Sequence, residues 1–408
     1  MTLQQFIALY LRVPYNISFH LSASCSMHRR YLVLPKAATK DQTLTDKGKN
    51  GNVTATETRT NAQGLTDFVE VEEAKAEYNK RRKSQLGLIK KTDKELLRKM
   101  LYEMVLGRIF EEKSAEVYRM GKIGGFCHLY IGQEAIGVGA LTALEPDDMS
   151  VTSYRDHVQA MVRGISPDAV MAELYGKEGG CVKGKGGSMH MFSKEHEFYG
   201  GHGIVGGQIG VGTGMAYAAK YKDSGQVTMC FFGEAAVNQG IFHESLNMAQ
   251  LWKLPIVYIC ENNVYGMGTS QKRAMSIASV AKKGDAYGIA NEFVDGMDVM
   301  AVREACLRAI DRARSESLPT LLEIRAYRYM GHSMSDPGNY RTRDEIVKYQ
   351  ERDPIHLFQD SLEEAGVFTD KDFESIRQEA IAAVDQAIKF AEESPLPEAS
   401  ELFTDVYA

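Results

Sequence analysis

The amino-acid sequence predicts an α/β fold with an open, mostly parallel sheet flanked by helices. Three short apolar runs, residues 226–232, 255–260 and 320–326, are rich in Val, Ile, Leu, Phe and Tyr and alternate with helical patterns. Runs of this length are typical of strands that are buried on both faces of a parallel sheet. Because ligands of such sheets bind beyond the carboxyl ends of the strands, we expect the functional site there.

The composition is that of an ordinary folded protein, and it disfavours two kinds of partner. The chain has 408 residues, 44% of them hydrophobic, and its 48 Lys and Arg nearly balance 54 Asp and Glu, for a net charge of -6. This balance creates no strong field for nucleic acid or an anionic membrane, and no apolar run has transmembrane length. The six cysteines lie at least 30 positions apart, which excludes zinc-site spacing and a dense disulfide framework.

The first 91 residues are predicted to form an extension, a disordered arm. Residues 36–91 are rich in Lys, Thr, Asn, Gly and Glu and have little apolar periodicity, a pattern typical of a solvated linker. The first forty residues contain no Asp or Glu, but only Arg12 precedes position 28, which is a poor pattern for a transit peptide. Folded structure is expected to start near Thr92, so that residues 92–408 form the main domain with C-terminal helices.

Two long amphipathic helices are expected in that domain. Thr92 and Glu95 predict a capping box for a helix that runs to about Met120 with apolar residues at helical spacing. A second helix follows Asp370. Its apolar face contains Ile376, Ala380, Ala383, Val384, Ala387 and Ile388.

Glycine is concentrated in one stretch, where 14 of the 37 glycines fall between Gly176 and Gly214. Residues 179–186 have the G-x4-G-K skeleton of a P-loop. The residue after Lys185 is Gly186, so the hydroxyl that would hold magnesium is missing, and no apolar strand precedes the motif. An NTPase is therefore disfavoured.

The same stretch contains a second nucleotide-binding pattern, GHGIVG at residues 201–206, which matches a dinucleotide fingerprint. We expect no strand before this motif. The acid at the right distance, Asp223, lies before a predicted strand rather than at the end of one. A nicotinamide site is therefore disfavoured as well.

Polar side chains follow two of the predicted strands at their carboxyl ends. The strand ending at Phe232 runs into GEAAVN, and the strand ending at Cys260 runs into ENNVY. A carboxylate from Glu234, a side-chain carbonyl from Asn263 and a nearby peptide carbonyl are hard oxygen ligands suited to a Mg²⁺ that also binds phosphate. An Asn after a strand is usually just a turn residue. Glu234 and Asn263 together, 29 positions apart, favour a metal site over that reading.

These two segments resemble the thiamine-diphosphate motif in the α subunits of two-oxoacid dehydrogenase E1 components. The resemblance extends over about 300 residues and includes five further blocks in order. The blocks are GGFCHLYIGQEA, TSYRDH, GKGGSMHMF, YGGHGIVGGQ and YRYMGHSMSDPGNYRTRDE. The resemblance implies an enzyme with a thiamine-diphosphate-binding fold and the cofactors thiamine diphosphate and Mg²⁺.

Matching the blocks residue by residue implies a set of site residues. The implied contacts to the cofactor are Tyr154, Arg155, Ser193, Gly203, Val205, Glu234, Ala235, Ala236, Asn263 and His332. The implied magnesium ligands are Glu234, Asn263 and the main chain of Tyr265. The implied catalytic residues are His128 and His332, which face substrate and diphosphate.

Within the family, FCHLY and GHSMSDPG resemble the pyruvate-specific members more than the branched-chain or acetoin members. This implies oxidative decarboxylation of pyruvate with transfer of the acetyl group to the lipoyl domain of an E2 partner, a reaction that follows glycolysis. In the family the glutamate that activates thiamine belongs to a separate β subunit, so an α2β2 heterotetramer is implied. Gly206, Gly210 and Gly214 recur every four residues, which permits close helix packing either at a subunit seam or inside the monomer.

Two departures from the family pattern leave an alternative open. The family's Asp is Glu234 here, one methylene longer, and the following Gly is Ala235. Mg²⁺ tolerates little error in ligand distance, so a non-catalytic regulatory paralogue is the alternative from another class. GIFHESLN at residues 240–247 resembles bacterial members, which favours a cytoplasmic location, with the mitochondrial matrix as alternative. Ser333 stands where animal relatives have a kinase-target serine.

Overall fold

A six-stranded parallel sheet forms the centre of the fold, as the sequence predicts. The computed structural model describes residues 69–406. Its strands, β1 to β8 in chain order, are Met149–Ser153, Phe198–His202, Thr228–Gly233, Ile256–Asn262, Tyr265–Gly266, Thr269–Ser270, Ala290–Asp295 and Thr320–Arg325. The sheet has the order β2-β1-β3-β4-β8-β7, and every neighbouring pair in it is parallel. β5 and β6 form a separate antiparallel ribbon.

Helices cover both faces of the sheet. Between residues 69 and 406 the α-helices, α1 to α12, are Val69–Ile89, Lys94–Arg119, Glu134–Leu141, His157–Val162, Pro167–Leu174, Gly207–Lys222, Gly240–Leu251, Gln271–Ala274, Val299–Glu316, Arg343–Gln350, Pro354–Glu364 and Asp370–Glu393. Short 3-10 helices are Gly187–Met189, Glu234–Asn238, Ala281–Tyr287 and Ala399–Phe403. None of the described helices is long and apolar enough to cross a membrane.

The two faces of the sheet belong to two hydrophobic clusters. Met229 and Phe231 of β3 pack into a large cluster with α2, α3, α9 and α12, whereas Cys230 and Phe232 pack into a smaller one with α6 and α7. Successive residues of a strand point to opposite faces, so a strand buried on both sides is predominantly apolar. This explains why the three predicted strands read as continuous apolar runs.

Those three predicted strands are confirmed as β3, β4 and β8, and β3 lies next to β4. The sequence did not predict β1, β2 and β7. β2 contains two glycines, Gly200 and Gly201, and β7 at the sheet edge exposes Glu292 and Phe293, so neither has a strongly apolar pattern. Parallel pairing brings the carboxyl ends of β1, β3, β4 and β8 to one edge of the sheet.

The first predicted helix is present, but its capping residue differs from the expected one. α2 begins at Lys94, and the side chain of Asp93 accepts a hydrogen bond from the backbone N–H of Leu96. The hydroxyl of Thr92 instead donates to the carbonyl of Leu88, in the last turn of α1. The cap therefore lies one residue later than predicted.

The expectation that folded structure starts near Thr92 also differs from the structure, which has α1 at Val69–Ile89. The helix is predominantly polar, so its sequence lacks a clear apolar stripe, and polar contacts help to hold it beside the few apolar side chains that it buries. Tyr78 Oη lies 3.0 Å from Ser361 Oγ, and Gln85 Nε2 donates to Asp298 Oδ1 at 2.8 Å. The division into residues 1–91 and 92–408 stays a prediction, and residues 1–68 lie outside the described part of the chain.

The glycine stripe is explained partly within the monomer. A methyl group at Gly210 would lie 3.0 Å from Ile241, and one at Gly206 would lie 3.2 Å from Gln239, so both glycines allow α6 to approach the start of α7. A methyl group at Gly214 would meet nothing within 4 Å. Close packing inside the chain therefore accounts for two of the three positions.

Candidate active site

A cavity of about 730 Å³ opens at the carboxyl edge of the sheet. The segments that follow β1, β2, β3, β4 and β8 all contribute to its wall, together with residues 126–133 before α3. This is the position at which a parallel sheet binds ligands. The main cavity therefore lies where the sequence predicts the functional site.

Most of the predicted site residues meet at this cavity. The lining includes His128, Tyr154, Arg155, Gly203, Val205, Glu234, Ala235, Ala236, Asn263, Tyr265 and His332. Ser193 is the exception: its backbone N–H and carbonyl pair with Phe198, the first residue of β2, in an antiparallel bridge, and it is not among the lining residues. The roles assigned to all of these residues stay predictions.

The segment after β3 places a buried carboxylate in the cavity wall. Glu234 begins a 3-10 helix and is only 3% exposed. Its Oε1 atom is buried and has no hydrogen-bond partner, and burial raises the pKa of this carboxyl above its ordinary value. Ala235 is not among the residues with positive φ, so alanine in place of the family's glycine strains no backbone here. Its methyl group instead lies 2.6 Å from where a Cβ on Gly266 would be.

The segment after β4 turns sharply and directs two oxygen atoms to one point. Val264 has a φ of 78°, an outlier for a β-branched residue that costs on the order of 1–3 kcal/mol. On either side of it, Asn263 Oδ1 and the carbonyl oxygen of Tyr265 accept hydrogen bonds from the same nitrogen, Arg328 Nη1, at 3.3 and 3.0 Å. The strained turn therefore makes these two oxygens converge.

Glu234 lies beside these two oxygens. A methyl group on Gly266, the residue after Tyr265, would lie 3.8 Å from Glu234 Oε1. Within residues 69–406, no three His, Cys, Asp or Glu side chains cluster as metal ligands. Any cation here would therefore be bound by one carboxylate together with neutral oxygens and oxygens of the ligand.

Two buried guanidinium groups line the cavity, and neither forms an ion pair with a carboxylate in the part of the chain that the structure describes. Arg155 donates to the carbonyls of Leu129 and His332 at 2.6 and 2.8 Å. Arg328 is 1% exposed and donates to carbonyl, amide and phenol oxygens. Burial, followed by repulsion from Arg328, lowers the pKa of Arg155 to about 10. Two buried cations without carboxylate partners favour an anionic ligand.

The second glycine pattern, GHGIVG, also lines the cavity. The expectation that no strand precedes it is wrong. The motif GHGIVG is preceded by a strand, β2, and followed by α6, whose N-cap Gly206 has a φ of 86°. Gly203, Val205, Gly206 and Gln208 line the cavity, so the N-terminus of a 16-residue helix faces it. Such an end attracts anions. Asp223 caps the far end of α6, which leaves it unavailable to a dinucleotide ribose.

The rings of the two predicted catalytic histidines pack against each other and against the ring of Tyr154. The ring centroids of His128 and His332 are 5.2 Å apart, and that of Tyr154 lies 4.6 Å from His128. Burial, and then the charge of Arg155, lowers the pKa of His128 to about 2 and that of His332 to about 4. Both imidazoles are therefore neutral at physiological pH and able to donate or accept a hydrogen bond, and Nδ1 of each is buried without a partner.

Sequence reasoning missed two buried charged residues at the cavity. Arg328 lies in the block YRYMGH, three residues after β8 ends. An arginine directly beyond a predicted apolar strand was the one sequence signal that could have marked it. Glu261 lines the cavity and accepts hydrogen bonds from Tyr130 Oη and from Gln159 Nε2, the latter at 3.0 Å. Burial raises the pKa of Glu261 to about 7. Its place just before the two asparagines was the only sequence signal.

The P-loop-like motif does not bind an anion from outside, because a carboxylate of the chain already occupies it. Glu173 on α5 is fully buried, and its two oxygens accept four backbone N–H groups of the glycine-rich loop. The donors are Val182, Gly184, Gly186 and Gly187, at 2.7 to 3.0 Å. The prediction against an NTPase site thus has a structural reason.

Comparison with known proteins identifies the family. Residues 102–400 match the family model for the dehydrogenase E1 component. The chain belongs to the dehydrogenase E1 component family, and this confirms the resemblance seen in the sequence.

Individual relatives carry a more specific name. The chain is 50% identical over 321 residues to "Pyruvate dehydrogenase E1 component subunit alpha" of Rhizobium meliloti, covering 78% of this chain and 92% of the relative. It is 47% identical to the protein of the same name from Rickettsia felis, covering 78% and 97%. It is also 47% identical to a chloroplastic "subunit alpha-3" from Oryza sativa, covering 76% and 75%.

The role of Glu173 can be tested by substitution. Glu173→Gln replaces one acceptor oxygen with an amide that confronts two N–H donors, so we expect the free energy of unfolding to fall by about 3 kcal/mol. Chemical denaturation measures this loss. As control, Lys185→Ala removes the lysine of the P-loop skeleton, which contacts only Thr404, Glu401 and Asp405 at the surface, and should change stability by less than about 0.5 kcal/mol. Equal effects of the two variants would contradict this account.

The low pKa values of the two histidines predict a pH dependence. Because the folded-state pKa of His332 lies near 4, below its ordinary value of 6.5, the unfolded chain binds more protons between these values. Stability contributed by the neutral imidazole is therefore lost as pH falls from 6.5 towards 4. In NMR titration of the histidine-labelled chain, we expect His332 to titrate near pH 4 and His128 to stay neutral down to at least pH 4. Midpoints at or above 6.5 would contradict the burial argument.

Proposed function

We propose that this chain is the α subunit of a pyruvate dehydrogenase E1 component. The reaction is the oxidative decarboxylation of pyruvate, in which carbon dioxide leaves and the acetyl group passes to a lipoyl group, whose disulfide is reduced. The observation that carries the proposal is the convergence of the motif residues Glu234, Asn263 and Tyr265 with two unpaired guanidiniums at one cavity. The names of the relatives, at up to 50% identity, support pyruvate over the branched-chain and acetoin alternatives.

The cavity suits thiamine diphosphate in its size and in its charge. When bound, this cofactor supplies the carbon nucleophile that adds to the keto group of pyruvate. The N-terminus of α6 and the side chain of Arg155 would bind the diphosphate, because both present positive charge to the same cavity. Tyr154 and Val205 supply aromatic and apolar wall for the rings of the cofactor.

Mg²⁺ would be bound by Glu234, Asn263 and the main chain of Tyr265. The unpartnered Oε1 of Glu234 supports this assignment, since a buried carboxylate oxygen without a hydrogen-bond donor is costly unless a cation compensates it. The oxygens of Asn263 and Tyr265 each accept one bond from Arg328 and keep a second lone pair. This donor set of hard oxygens, completed by phosphate, is one that Mg²⁺ prefers.

The two histidines would orient the substrate. A neutral imidazole donates a hydrogen bond to a carbonyl or carboxylate oxygen without carrying charge into the site, and the His128 ring lies 6.3 Å from the exposed ring of Phe126 in the cavity wall. His332 follows β8 and lies beside Arg155, whose guanidinium is bonded to its carbonyl. A bound diphosphate would raise the pKa of His332, because a nearby anion favours the imidazolium.

The partners follow from the same proposal. A separate β subunit would supply the carboxylate that activates the cofactor, in an α2β2 heterotetramer, and the lipoyl domain of E2 would receive the acetyl group. A cytoplasmic location, with the mitochondrial matrix as alternative, stays a prediction. The second candidate function is the non-catalytic regulatory paralogue, which only the exchange of Asp for Glu234 and Gly for Ala235 favours.

The metal site is tested by shortening and removing one side chain. In calorimetric titration of thiamine diphosphate into the α/β complex with Mg²⁺, Glu234→Ala should abolish metal-dependent binding, because the only carboxylate among the proposed ligands is lost. Glu234→Asp should bind at least as well as the native chain, since it restores the family's ligand. Glu292→Ala, which removes an exposed carboxylate at the sheet edge, serves as control and should bind normally. Unaltered affinity of Glu234→Ala would refute the ligand assignment and favour the paralogue.

The division of labour between subunits is tested by reconstitution. The purified chain alone should not decarboxylate pyruvate, and addition of a cognate β subunit should restore turnover. Comparing rates on pyruvate, 2-oxoisovalerate and acetoin with the partner present decides the substrate. Turnover by the isolated chain at a rate comparable to the complex, or a strong preference for either of the other substrates, would contradict the proposal.

A further inference from the structure

The segment that places His128 has no strand partner, and several of its backbone groups bond to distant parts of the chain. Residues 126–130 form no helix or strand. Their hydrogen bonds go to distant parts of the chain: Arg155 donates to the carbonyl of Leu129, and the backbone N–H of Met334 donates to the carbonyl of Cys127. The position of the His128 ring therefore depends on groups outside its own segment.

Two backbone N–H groups of this segment, those of His128 and Tyr130, belong to one buried chain of hydrogen bonds. Glu111 on α2 accepts the backbone N–H of Tyr130 at Oε1 and His157 Nδ1 at Oε2, both at 2.9 Å. His157 Nε2 lies 2.8 Å from Ser188 Oγ, and Ser188 Oγ accepts the backbone N–H of His128 at 3.2 Å. The chain thus begins and ends on the backbone of the same segment, two residues apart.

The chain is not the triad of a hydrolase. Glu111, His157 and Ser188 are all at most 3% exposed, and none of them is among the residues that line the cavity. A carboxylate only accepts, so His157 Nδ1 carries a hydrogen and donates it to Glu111, while His157 Nε2 lies 3.1 Å from the carbonyl oxygen of Ser188 and 2.8 Å from its Oγ. A serine whose oxygen already accepts a backbone N–H, with no access to substrate, has a positioning role.

We propose that Glu111, His157 and Ser188 are positioning residues that hold the backbone of His128 so that its imidazole faces the substrate. This inference rests on the proposed function. Three different elements contribute the three side chains, namely α2, α4 and the 3-10 helix Gly187–Met189, so their packing sets where His128 lies.

The test is a double-mutant cycle in the α/β complex. Ser188→Ala leaves the backbone N–H of His128 without its acceptor, and kcat/KM for pyruvate should fall by about tenfold or more, because small displacements of a substrate-facing group are costly. In a His128→Ala background, the same change should lower kcat/KM by less than about twofold, since the residue it positions is gone. Affinity for thiamine diphosphate, measured by calorimetry, should stay within about twofold in both.

Two controls separate positioning from general destabilisation. Ser361→Ala truncates an equally buried serine that contacts Tyr78 and Arg82, far along the chain from the cavity, and should leave kcat/KM unchanged. If Ser188→Ala does not fold, Ser188→Cys, which keeps a weaker acceptor, takes its place with a smaller loss in the same direction. Equal losses in the native and His128→Ala backgrounds would overturn the proposal.

A measurement without turnover keeps this test independent of the proposed function. In the histidine-labelled chain, Ser188→Ala should shift the imidazole ¹⁵N resonances of His128 and leave those of His202, near Tyr199, in place. An unmoved His128 resonance would overturn the positioning role. Absence of pyruvate turnover in the native complex, with the His128 resonance shifted as expected, would instead count against the proposed function alone.

Discussion

Two buried guanidinium groups connect the segments that form the site. Arg155 bonds the carbonyls of Leu129 and His332, and so joins the segment before α3 to the one after β8. Arg328 bonds the oxygens of residues 263, 265 and 267, and so joins the end of β8 to the turn after β4. Because neither pairs with a carboxylate among residues 69–406, both charges are held by neutral oxygens. The same arrangement that fixes the loops leaves two cationic groups at the cavity wall without carboxylate partners among these residues.

The glycine-rich stretch shows how one composition serves two purposes. Around Gly184 the backbone N–H groups surround an internal carboxylate, Glu173, and the loop becomes a structural element. Around Gly206 the backbone leads from β2 into α6, and the helix N-terminus opens on the cavity. The two motifs look alike in sequence because both are rich in glycine. They differ in what the backbone faces, which is a carboxylate of the chain in the first and the cavity in the second.

Sequence reasoning succeeded where a pattern has one physical cause. β3, β4 and β8 were predicted because burial on both faces leaves only apolar residues, and the carboxyl ends of parallel strands must meet at one edge. It failed where the cause is remote. β2 was missed because Gly200 and Gly201 give no apolar signal, and α1 was missed because contacts such as those of Tyr78 and Gln85 hold a polar helix in place. Ser193 was matched to the cofactor from its block alone, yet it lies outside the cavity lining.

The sequence by itself determined the fold class, the family and eleven of the residues that line the cavity, because apolar runs and motif blocks are local properties of the chain. Only the tertiary structure decided which groups face which. The convergence of Asn263 and Tyr265 on Arg328, the neutral state of His128 and His332, and the hydrogen bonds from Glu111 through His157 and Ser188 all join residues far apart in the chain. Such contacts depend on burial and on distances between packed elements, and no local pattern encodes these.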